Sequence, residues 1–493
     1  MENEIISPNT LTHFDLNMIR ISLTLISILW CLVSSANQDL PTFGDSTSGI
    51  ISLEQERRLG QQFLRSIRAQ APTLDDPVLQ DFLEHLVYRL ASHSQLKDRR
   101  LDLVIIRNGS LNAFAAPGGI VGIHDGLFSY AQTEHEMSAI LAHELAHLSQ
   151  RHFARRVAEG KKSAAINIAG LLAGVILAAT AGGDAALAAL TGSRGLAQNQ
   201  SLKYSRDREA EADRIGIYTL DDASMDPRAM AYMFERLQRA SRYSTGNNIP
   251  EFLRTHPVTN DRVADSYNQT QNYPKKQFPA NLEYQLMRIR ARALTSRNQP
   301  KEIKYFESAF EESSNAIQKT ANQYGLVISL TNSLAFDKAR THIRELREQH
   351  PLNIPFRIAE AETYISDQQP DLALELLEEA LEVSPNNYPL STTYAQTLLT
   401  ARKPHAALEV LTTLSIKRPN DEYVWYLLAE AYGLANNISG VHEARAEFFV
   451  LNGNYDQAIK QLGYALPLVR HNFQQTARIK QRLEDIWIMK DGN

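Results

Sequence analysis

Cysteine is almost absent from this 493-residue sequence, which contains a single one, Cys31. It lies in a 13-residue apolar run, residues 21–33, that follows a basic residue and precedes small residues at 34–36. This order is typical of a cleaved secretory signal. We therefore predict a signal peptide over 1–36, with Met18 as an alternative start, and a mature protein in the periplasm. A mature chain of this length does not need disulfides to form a core, although an oxidising compartment permits them.

The sequence also lacks a strong net charge and, with one exception, long apolar runs. A net charge of −5 argues against a nucleic-acid partner. The run at 21–33 is shorter than the about 20 residues that cross a bilayer, and a membrane-embedded protease would need several such spans. The exception is 164–183, which is apolar but rich in glycine and alanine. That composition favours a helical lid or hairpin that packs over the cleft and could touch a membrane surface, rather than a membrane-spanning helix.

The most informative segment that is present is an H-E-x-x-H motif, from His143 to His147. Thr133 and Glu136 match a capping box, so the motif is predicted to lie on a helix that begins there. Side chains four residues apart share one helix face, so His143 and His147 could bind one metal ion. Glu144 would then act as the general base of a zinc-dependent hydrolysis of peptide bonds. The alternative is a chance pentapeptide on a surface helix.

Carboxylates that could supply a third metal ligand follow at 205–216, a charged and helix-prone segment. Glu209 and Asp213 are four residues apart, so one could bind the metal while the other accepts the free N–H of a ligand histidine. Glu211 competes for the ligand position. Alone, this segment is typical of a solvent-facing helix. His152 is not four residues from either motif histidine and is predicted to be a solvated helix residue.

The carboxyl-terminal half repeats with a period of 34 residues. Three sets of positions keep this interval: Pro351, Pro385 and Pro419; Ala361, Ala395 and Ala429; and Ala339, Ala373 and Ala407. A 34-residue helix–turn–helix period with closing prolines is typical of tetratricopeptide repeats. One repeat cannot bury its own apolar face, so repeats stack into a solenoid with a concave surface that binds protein segments. A helical bundle with coincidental prolines is the alternative.

Taken together, the two acidic and histidine motifs resemble those of the M48 metallopeptidases, in which H-E-x-x-H is followed some tens of residues later by E-x-x-x-D. The resemblance implies Glu209 as the third zinc ligand, Glu144 as the general base and Asp213 as the partner of a ligand histidine. It adds His256, which with Arg262 matches the family's H-P-x-x-x-x-R. His256 is then expected close to the zinc, either as a transition-state donor or as an extra ligand that blocks the open position.

The segment before the motif helix is predicted to form strands. Residues 101–106 alternate and are β-branched, and 112–123 read as a glycine-interrupted pair of strands. In the M48 family, the equivalent strand flanks the cleft and can pair with an extended substrate. The resemblance therefore assigns substrate binding to Asn112 and Ala113, whereas the residues alone are equally consistent with an ordinary hairpin.

The sequence thus predicts a mainly α protein with two domains: an α+β zincin-type metallopeptidase over 37–270 and an α-helical tetratricopeptide-repeat solenoid over 280–493. Resemblance to periplasmic M48 proteins with the same parts implies a zinc endopeptidase, with one Zn²⁺ per chain, in the quality control of outer-membrane proteins. Its clients or partners would be outer-membrane β-barrel proteins and their assembly machinery. The alternative is a chaperone or scaffold that recruits partners through the repeats and keeps its protease site largely latent.

Overall fold

The structure is a computed structural model that describes residues 51–159, 197–242 and 250–491. The predicted signal peptide, 1–36, and the apolar segment, 164–183, lie outside the described residues. Within the three described ranges, no helix is both long and apolar enough to cross a membrane. This part of the chain is mainly helical and contains one small sheet, so the predicted fold class is confirmed.

The sheet has three strands in the order β1-β3-β2, namely β1 (Asp102–Ile106), β2 (Ala113–Ala116) and β3 (Ile120–His124). Strand β3 runs parallel to β1 and antiparallel to β2. Gly118 and Gly119, with φ of 76° and 83°, make the tight turn before β3, and glycine adopts this left-handed backbone most easily. Because β3 lies in the middle, β2 is an edge strand of the described sheet. It packs beside the helix that carries H-E-x-x-H.

Helices surround this sheet in the first half of the described chain. They are α1 (Leu53–Gln70), α2 (Pro77–Ser92), α3 (Gly126–Tyr130), α4 (Glu134–Ser149), α5 (His152–Glu159), α6 (Ala197–Asp222), α7 (Ala229–Arg242), α8 (Glu251–Thr255) and α9 (Asn260–Thr270). Helix α4 begins as predicted, because the Thr133 side chain accepts the backbone N–H of Glu136. Residues 136–146 of α4 are all buried, so the H-E-x-x-H motif lies on a core helix and not on a surface helix.

The second half consists of antiparallel helices. They are α10 (Leu282–Thr295), α11 (Gln299–Glu312), α12 (Ala316–Asn332), α13 (Phe336–Gln349), α14 (Ile354–Ser366), α15 (Pro370–Val383), α16 (Tyr388–Thr400), α17 (Pro404–Lys417), α18 (Glu422–Leu434), α19 (Ile438–Leu451), α20 (Tyr455–Leu468) and α21 (Phe473–Asp491). From α11 onward each helix packs against its neighbours along the chain, and α10 packs against α12. Ala339, Ala373 and Ala407 are fully buried, which is consistent with their predicted position where two helices cross.

The 34-residue period is also present in the backbone. Leu334, Gln368, Arg402 and Asn436 are spaced 34 residues apart, and each has a positive φ, between 57° and 60°. Each lies in the turn between two paired helices, such as Arg402 between α16 and α17. The backbone therefore repeats a single left-handed residue per helical pair, which sets the same turn geometry in successive repeats.

The peptidase and repeat portions pack together. The fully buried guanidinium of Arg290 in α10 donates to Asp76 at 2.7 Å, at the start of α2, and to Glu362 of α14 at 2.6 Å. Farther along the solenoid, Arg418 bonds to Glu84 of α2 at 2.5 Å. Residues from Ile51 onward accordingly form one compact unit. The domain boundary between 270 and 280 stays a prediction, and it falls in a segment without a helix.

Candidate metal centre

Helix α4 brings the two motif histidines side by side. The ring centroids of His143 and His147 lie 4.7 Å apart, and their Nε2 atoms are separated by 3.0 Å. His143 is fully buried, whereas His147 is partly exposed. Two imidazole nitrogens this close to each other and on one helix face could bind the same cation.

Helix α6 and the residue after α8 add two more donor atoms. Glu209 places Oε2 3.3 Å from His143 Nε2 and Oε1 3.6 Å from His147 Nε2. His256 places Nδ1 3.0 Å from Glu209 Oε2 and 3.3 Å from His143 Nε2. His256 is held there by Phe252, whose ring stacks on the imidazole with centroids 4.8 Å apart.

These four donors are close enough together to hold one metal ion. One donor atom from each of His143, His147, Glu209 and His256 lies within 4.8 Å of the other three. Ligands about 2.1 Å from a tetrahedral zinc are separated by about 3.4 Å, and the contacts just described, at 3.0–3.6 Å, lie near that value. The set of imidazoles and one carboxylate is also the type that zinc prefers.

Asp213 lies behind the centre, one helical turn beyond Glu209. Its Oδ1 is 2.9 Å from His143 Nδ1, and its two oxygens accept bonds from Arg262, both at 2.7 Å. Burial opposes ionisation of Asp213, but the contacts with His143 and Arg262 outweigh it and hold the pKa below its ordinary value. A carboxylate in this place orients the His143 ring so that Nε2 points at the other donors. The motif H-P-x-x-x-x-R includes Arg262 but does not indicate its contact with Asp213.

Glu144 lies between β2 and the donor cluster and is not one of the four clustered donors. It is 1% exposed, and within the described residues its Oε1 has no hydrogen-bond partner. Its carboxylate accepts the backbone N–H of Ala115 in β2, and Oε1 lies 3.6 Å from His256 Nε2. Burial raises the pKa of Glu144. A buried, underbonded carboxylate beside a metal centre is suited to exchanging a proton.

Strand β2 is an outer strand of the described sheet and lies next to Glu144. The carbonyl of Asn112 accepts the N–H of His124, so the backbone of Asn112 is directed at β3. Consecutive residues of an antiparallel strand alternate between the two edges, and Ala113 and Ala115 therefore face away from β3. The side chain of Asn112 is buried and its amide lies 3.5 Å from the ring of His124. Ala113 is fully buried, as is nearly all of Asn112, and the assignment of substrate binding to these two residues stays a prediction.

The prediction that His152 is solvated is wrong, because this residue is only 5% exposed. Its Nδ1 lies 2.7 Å from Nδ1 of His147, and its Nε2 lies 3.1 Å from Glu211 Oε2. Glu211 also accepts a bond from Arg155 at 2.8 Å. Glu211 is therefore engaged behind His147 and is not one of the four clustered donors. The α4–α5 turn returns His152 to the site, which spacing along one helix cannot reveal.

Comparisons with known families agree with this arrangement. The family model described as peptidase family M48 matches residues 77–268, and a tetratricopeptide-repeat model matches 364–431. The first range includes all four clustered donors and Glu144.

Relatives match along nearly the whole chain. The β-barrel assembly-enhancing protease of Escherichia coli K12 is 31% identical over 449 residues, which cover 91% of each chain. A putative protease of the same name from Vibrio cholerae is 33% identical over 464 residues, 94% of this chain and 95% of the relative. The mitochondrial metalloendopeptidase OMA1 of Schizosaccharomyces pombe is 29% identical over 226 residues, 43% of this chain and 60% of its own. The chain therefore belongs to the M48 metallopeptidases, in the branch that combines the peptidase domain with tetratricopeptide repeats.

Proposed function

We propose that this chain is a zinc endopeptidase of the bacterial periplasm that assists the assembly of outer-membrane β-barrel proteins and degrades those that misassemble. The observation that carries the proposal is the similarity over 91% of both chains to the β-barrel assembly-enhancing protease of Escherichia coli. The predicted secretory signal supports the periplasmic location. The repeats support a role that involves other proteins, because stacked tetratricopeptide units bind protein segments.

In this proposal His143, His147 and Glu209 hold the zinc ion. When bound, zinc would polarise the scissile carbonyl and lower the pKa of a water molecule to about 7. Asp213 keeps the His143 ring in the orientation that directs Nε2 at the centre, and Arg262 in turn keeps Asp213 in place through two bonds of 2.7 Å. Arg262 also lies 3.1 Å from Glu209, where its positive charge helps keep that carboxylate ionised.

Glu144 serves as the general base. It takes the proton of the water that attacks the peptide carbonyl and returns this proton to the leaving amine. The raised pKa of Glu144 favours this exchange, since a group with a pKa nearer neutrality both accepts and releases a proton more readily at working pH. The bond from the Ala115 N–H fixes the carboxylate next to the edge strand.

The substrate is an extended segment that pairs with the outer edge of β2. Ala113 has the orientation for this pairing, and the neighbouring Ala115 connects the edge to Glu144. Recognition through backbone groups depends little on side-chain identity, which suits an enzyme that must cleave many misfolded chains. The solenoid would raise the local concentration of clients bound to it near this edge.

A specific observation favours the alternative role as a chaperone or scaffold with a latent protease site. His256 Nδ1 completes a set of four donors, and a catalytic zinc site keeps only three protein ligands and one open position. His256 bound in this way would exclude the attacking water and the substrate carbonyl. Proteolysis would then require His256 to move, while the repeats could still recruit partners.

The variant Glu144→Gln tests these roles. We expect it to bind one zinc ion per chain, because Glu144 is not a clustered donor, and to hydrolyse an unfolded outer-membrane β-barrel protein at least about 100-fold more slowly. Zinc content is measured by atomic emission and hydrolysis by peptide release. Glu54→Gln, at an exposed position of α1, is the matched control.

Full proteolysis by the purified Glu144→Gln variant would refute the role of Glu144 as base. The same variant separates the two functions in cells that lack the wild-type chain. If it restores assembly of β-barrel proteins, the chaperone role predominates; if it does not, peptide hydrolysis is required.

A further inference from the structure

His152 is the first residue of α5, and it contacts the predicted zinc ligand His147 from the side opposite the donor cluster. The two rings lie 4.8 Å apart at an angle of 74°, and their Nδ1 atoms are 2.7 Å apart. This separation is within hydrogen-bonding distance and requires one nitrogen to carry a proton and the other to lack one. The ring is buried, so water cannot readily replace the contact.

The direction of this hydrogen bond follows from the position of the donor cluster. His147 directs Nε2 at His143 and Glu209, so this nitrogen must be unprotonated to bind a cation and the proton of the neutral ring is on Nδ1. His147 Nδ1–H therefore donates to His152 Nδ1. The proton of His152 is then on Nε2, from which it donates to Glu211 Oε2 at 3.1 Å.

The chain of contacts continues to a charged end. Arg155 donates to the same oxygen of Glu211 at 2.8 Å. Glu211 thus has a cation on one side and the Nε2–H of His152 on the other. This arrangement is the counterpart of Asp213 and Arg262 behind His143, except that an imidazole is inserted between the ligand and the carboxylate.

The backbone of the α4–α5 turn places His152 in this position. Arg151 has a φ of 51°, in the left-handed region that a non-glycine residue adopts only when surrounding contacts hold it there. Its guanidinium donates to Glu56 at 3.2 Å and to the carbonyl of Ile51 at 2.6 Å. These contacts to the start of α1 stabilise the reversal that returns His152 toward His147.

We propose that His152 is the positioning residue of the zinc ligand His147, and that Glu211 orients His152 in turn. The inference rests on the metal centre of the proposed function and adds a function for two residues outside the donor set. His152 fixes the tautomer and the rotation of the His147 ring, so that Nε2 faces the metal before the metal binds. Such outer contacts strengthen metal binding without touching the metal.

The test is zinc affinity, measured on the full mature chain by competition with a chromophoric chelator. We expect His152→Leu to weaken zinc binding by about 10–100-fold, because Nδ1–H of His147 loses its acceptor. His152→Asn should recover most of the affinity, since the amide Oδ1 can accept at the position of Nδ1. Glu211→Gln should give a smaller loss in the same direction. His405→Leu, an exposed histidine of α17, is the matched control.

A second readout separates positioning from general destabilisation. Co²⁺ replaces zinc in the wild type and in each variant, and its visible absorption bands report the arrangement of the ligands. We expect shifted bands in His152→Leu and wild-type bands in His152→Asn. Unchanged zinc affinity and unchanged bands in His152→Leu would overturn the inference. If His152→Leu does not fold, as judged by circular dichroism, Glu211→Gln decides: wild-type affinity in that variant rejects the proposal.

Failure of the proposed function gives a different result. A wild-type chain that binds no zinc, or a His147→Leu variant that still binds one ion as tightly as wild type, would reject the metal centre itself. A wild-type chain that binds zinc through His147 but tolerates His152→Leu would reject only the role of His152.

Discussion

Both motif histidines of α4 have their two ring nitrogens engaged. His143 contacts Asp213 through Nδ1, and His147 contacts His152 through Nδ1, while both Nε2 atoms face Glu209. The rings are therefore oriented by protein contacts, and a cation need not reorganise them on binding. Preorganised ligands bind more tightly because less conformational entropy is lost when the complex forms.

The role of His256 can be decided by removing its side chain. We expect His256→Ala to retain zinc through the three remaining donors and to cleave an unfolded β-barrel protein severalfold faster, because the fourth position becomes open to water and substrate. Zinc content and initial cleavage rates are compared with those of His405→Ala, a change at an exposed repeat residue. A fall of about 10²–10³-fold at unchanged zinc content would instead identify His256 as a transition-state donor.

Site residues that are neighbours on one helix could be predicted from the sequence, whereas a residue that a turn brings to the site could not. His143 and His147 share a helix face, and Glu209 precedes Asp213 by one turn, so periodicity alone grouped each pair. Joining the two pairs required the family resemblance. His152 is not four residues from either motif histidine, so helical spacing predicts that it faces solvent. The left-handed Arg151 breaks that geometry, and arginine gives no signal for such a turn.

At the scale of the element, four turns of the solenoid share a left-handed residue, although the residue type differs in each turn. Leu334, Gln368, Arg402 and Asn436 share one backbone conformation, yet none is glycine. The alanines and prolines that recur every 34 residues predicted the helical pairs, because buried positions require particular residue types. The turn conformation was not predicted, since four unrelated side chains tolerate it and so leave no pattern in the sequence.

Two glycines in solenoid helices are expected to respond oppositely to alanine. At Gly325 of α12 an added Cβ would lie 2.4 Å from Ile289 and 2.7 Å from Phe306, so Gly325→Ala should lower the free energy of unfolding by about 1–3 kcal/mol. At Gly463 of α20 no described atom of a neighbouring element lies within 4 Å of the added Cβ. Gly463→Ala should therefore raise the free energy of unfolding by about 0.5–1 kcal/mol.

Urea denaturation of both glycine variants, followed by circular dichroism, measures these changes. Each variant serves as the control for the other, since both replace a helical glycine within the same solenoid. A rise for Gly325→Ala would contradict the close packing of α12 against α10 and α11, and a fall for Gly463→Ala would contradict the open space beside α20.

For the whole molecule, the contacts between the peptidase portion and the solenoid were beyond reach of the sequence. They join residues separated by hundreds of positions, such as Arg65 and Tyr455, whose side chains lie 3.0 Å apart. Motifs and repeat periods describe residues that are close along the chain. No charge run or apolar patch in the sequence marked the residues of this interface. The sequence therefore predicted two portions and the order in which they occur, but not that α1 would contact α18, α19 and α20.

One interface pair should make stability depend on pH. Arg68 of α1 lies 2.6 Å from Glu422 of α18, and this contact by itself would lower the pKa of the carboxyl. Burial has the larger effect and, with Asp421 and Asp75 nearby, raises the pKa of Glu422 to about 7. Folded Glu422 thus binds a proton that the unfolded chain, with a glutamate pKa near 4.3, releases.

The contribution of Glu422 to the free energy of unfolding should therefore be greatest below about pH 4.5 and should decrease as the pH rises to 7. We expect wild type to lose about 1–3 kcal/mol relative to Glu422→Gln over this interval. Thermal unfolding midpoints of both proteins between pH 5 and 8 measure the difference, with Glu409→Gln as an exposed control in α17. A difference that stays constant with pH, or grows in favour of wild type, would contradict the assignment.

Because Arg290 of the solenoid pairs with Asp76 of the peptidase portion, the peptidase portion should lose stability when it is expressed without the solenoid. Cutting the chain after the last peptidase helix would remove the cation that neutralises Asp76 and expose the surface of α2 on which the solenoid rests. Losing one member of a buried ion pair costs about 3–5 kcal/mol, a large part of the stability of an ordinary domain. A catalytic fragment expressed alone is therefore a poor substitute for the intact polypeptide, and truncation would confuse loss of recruitment with loss of folding.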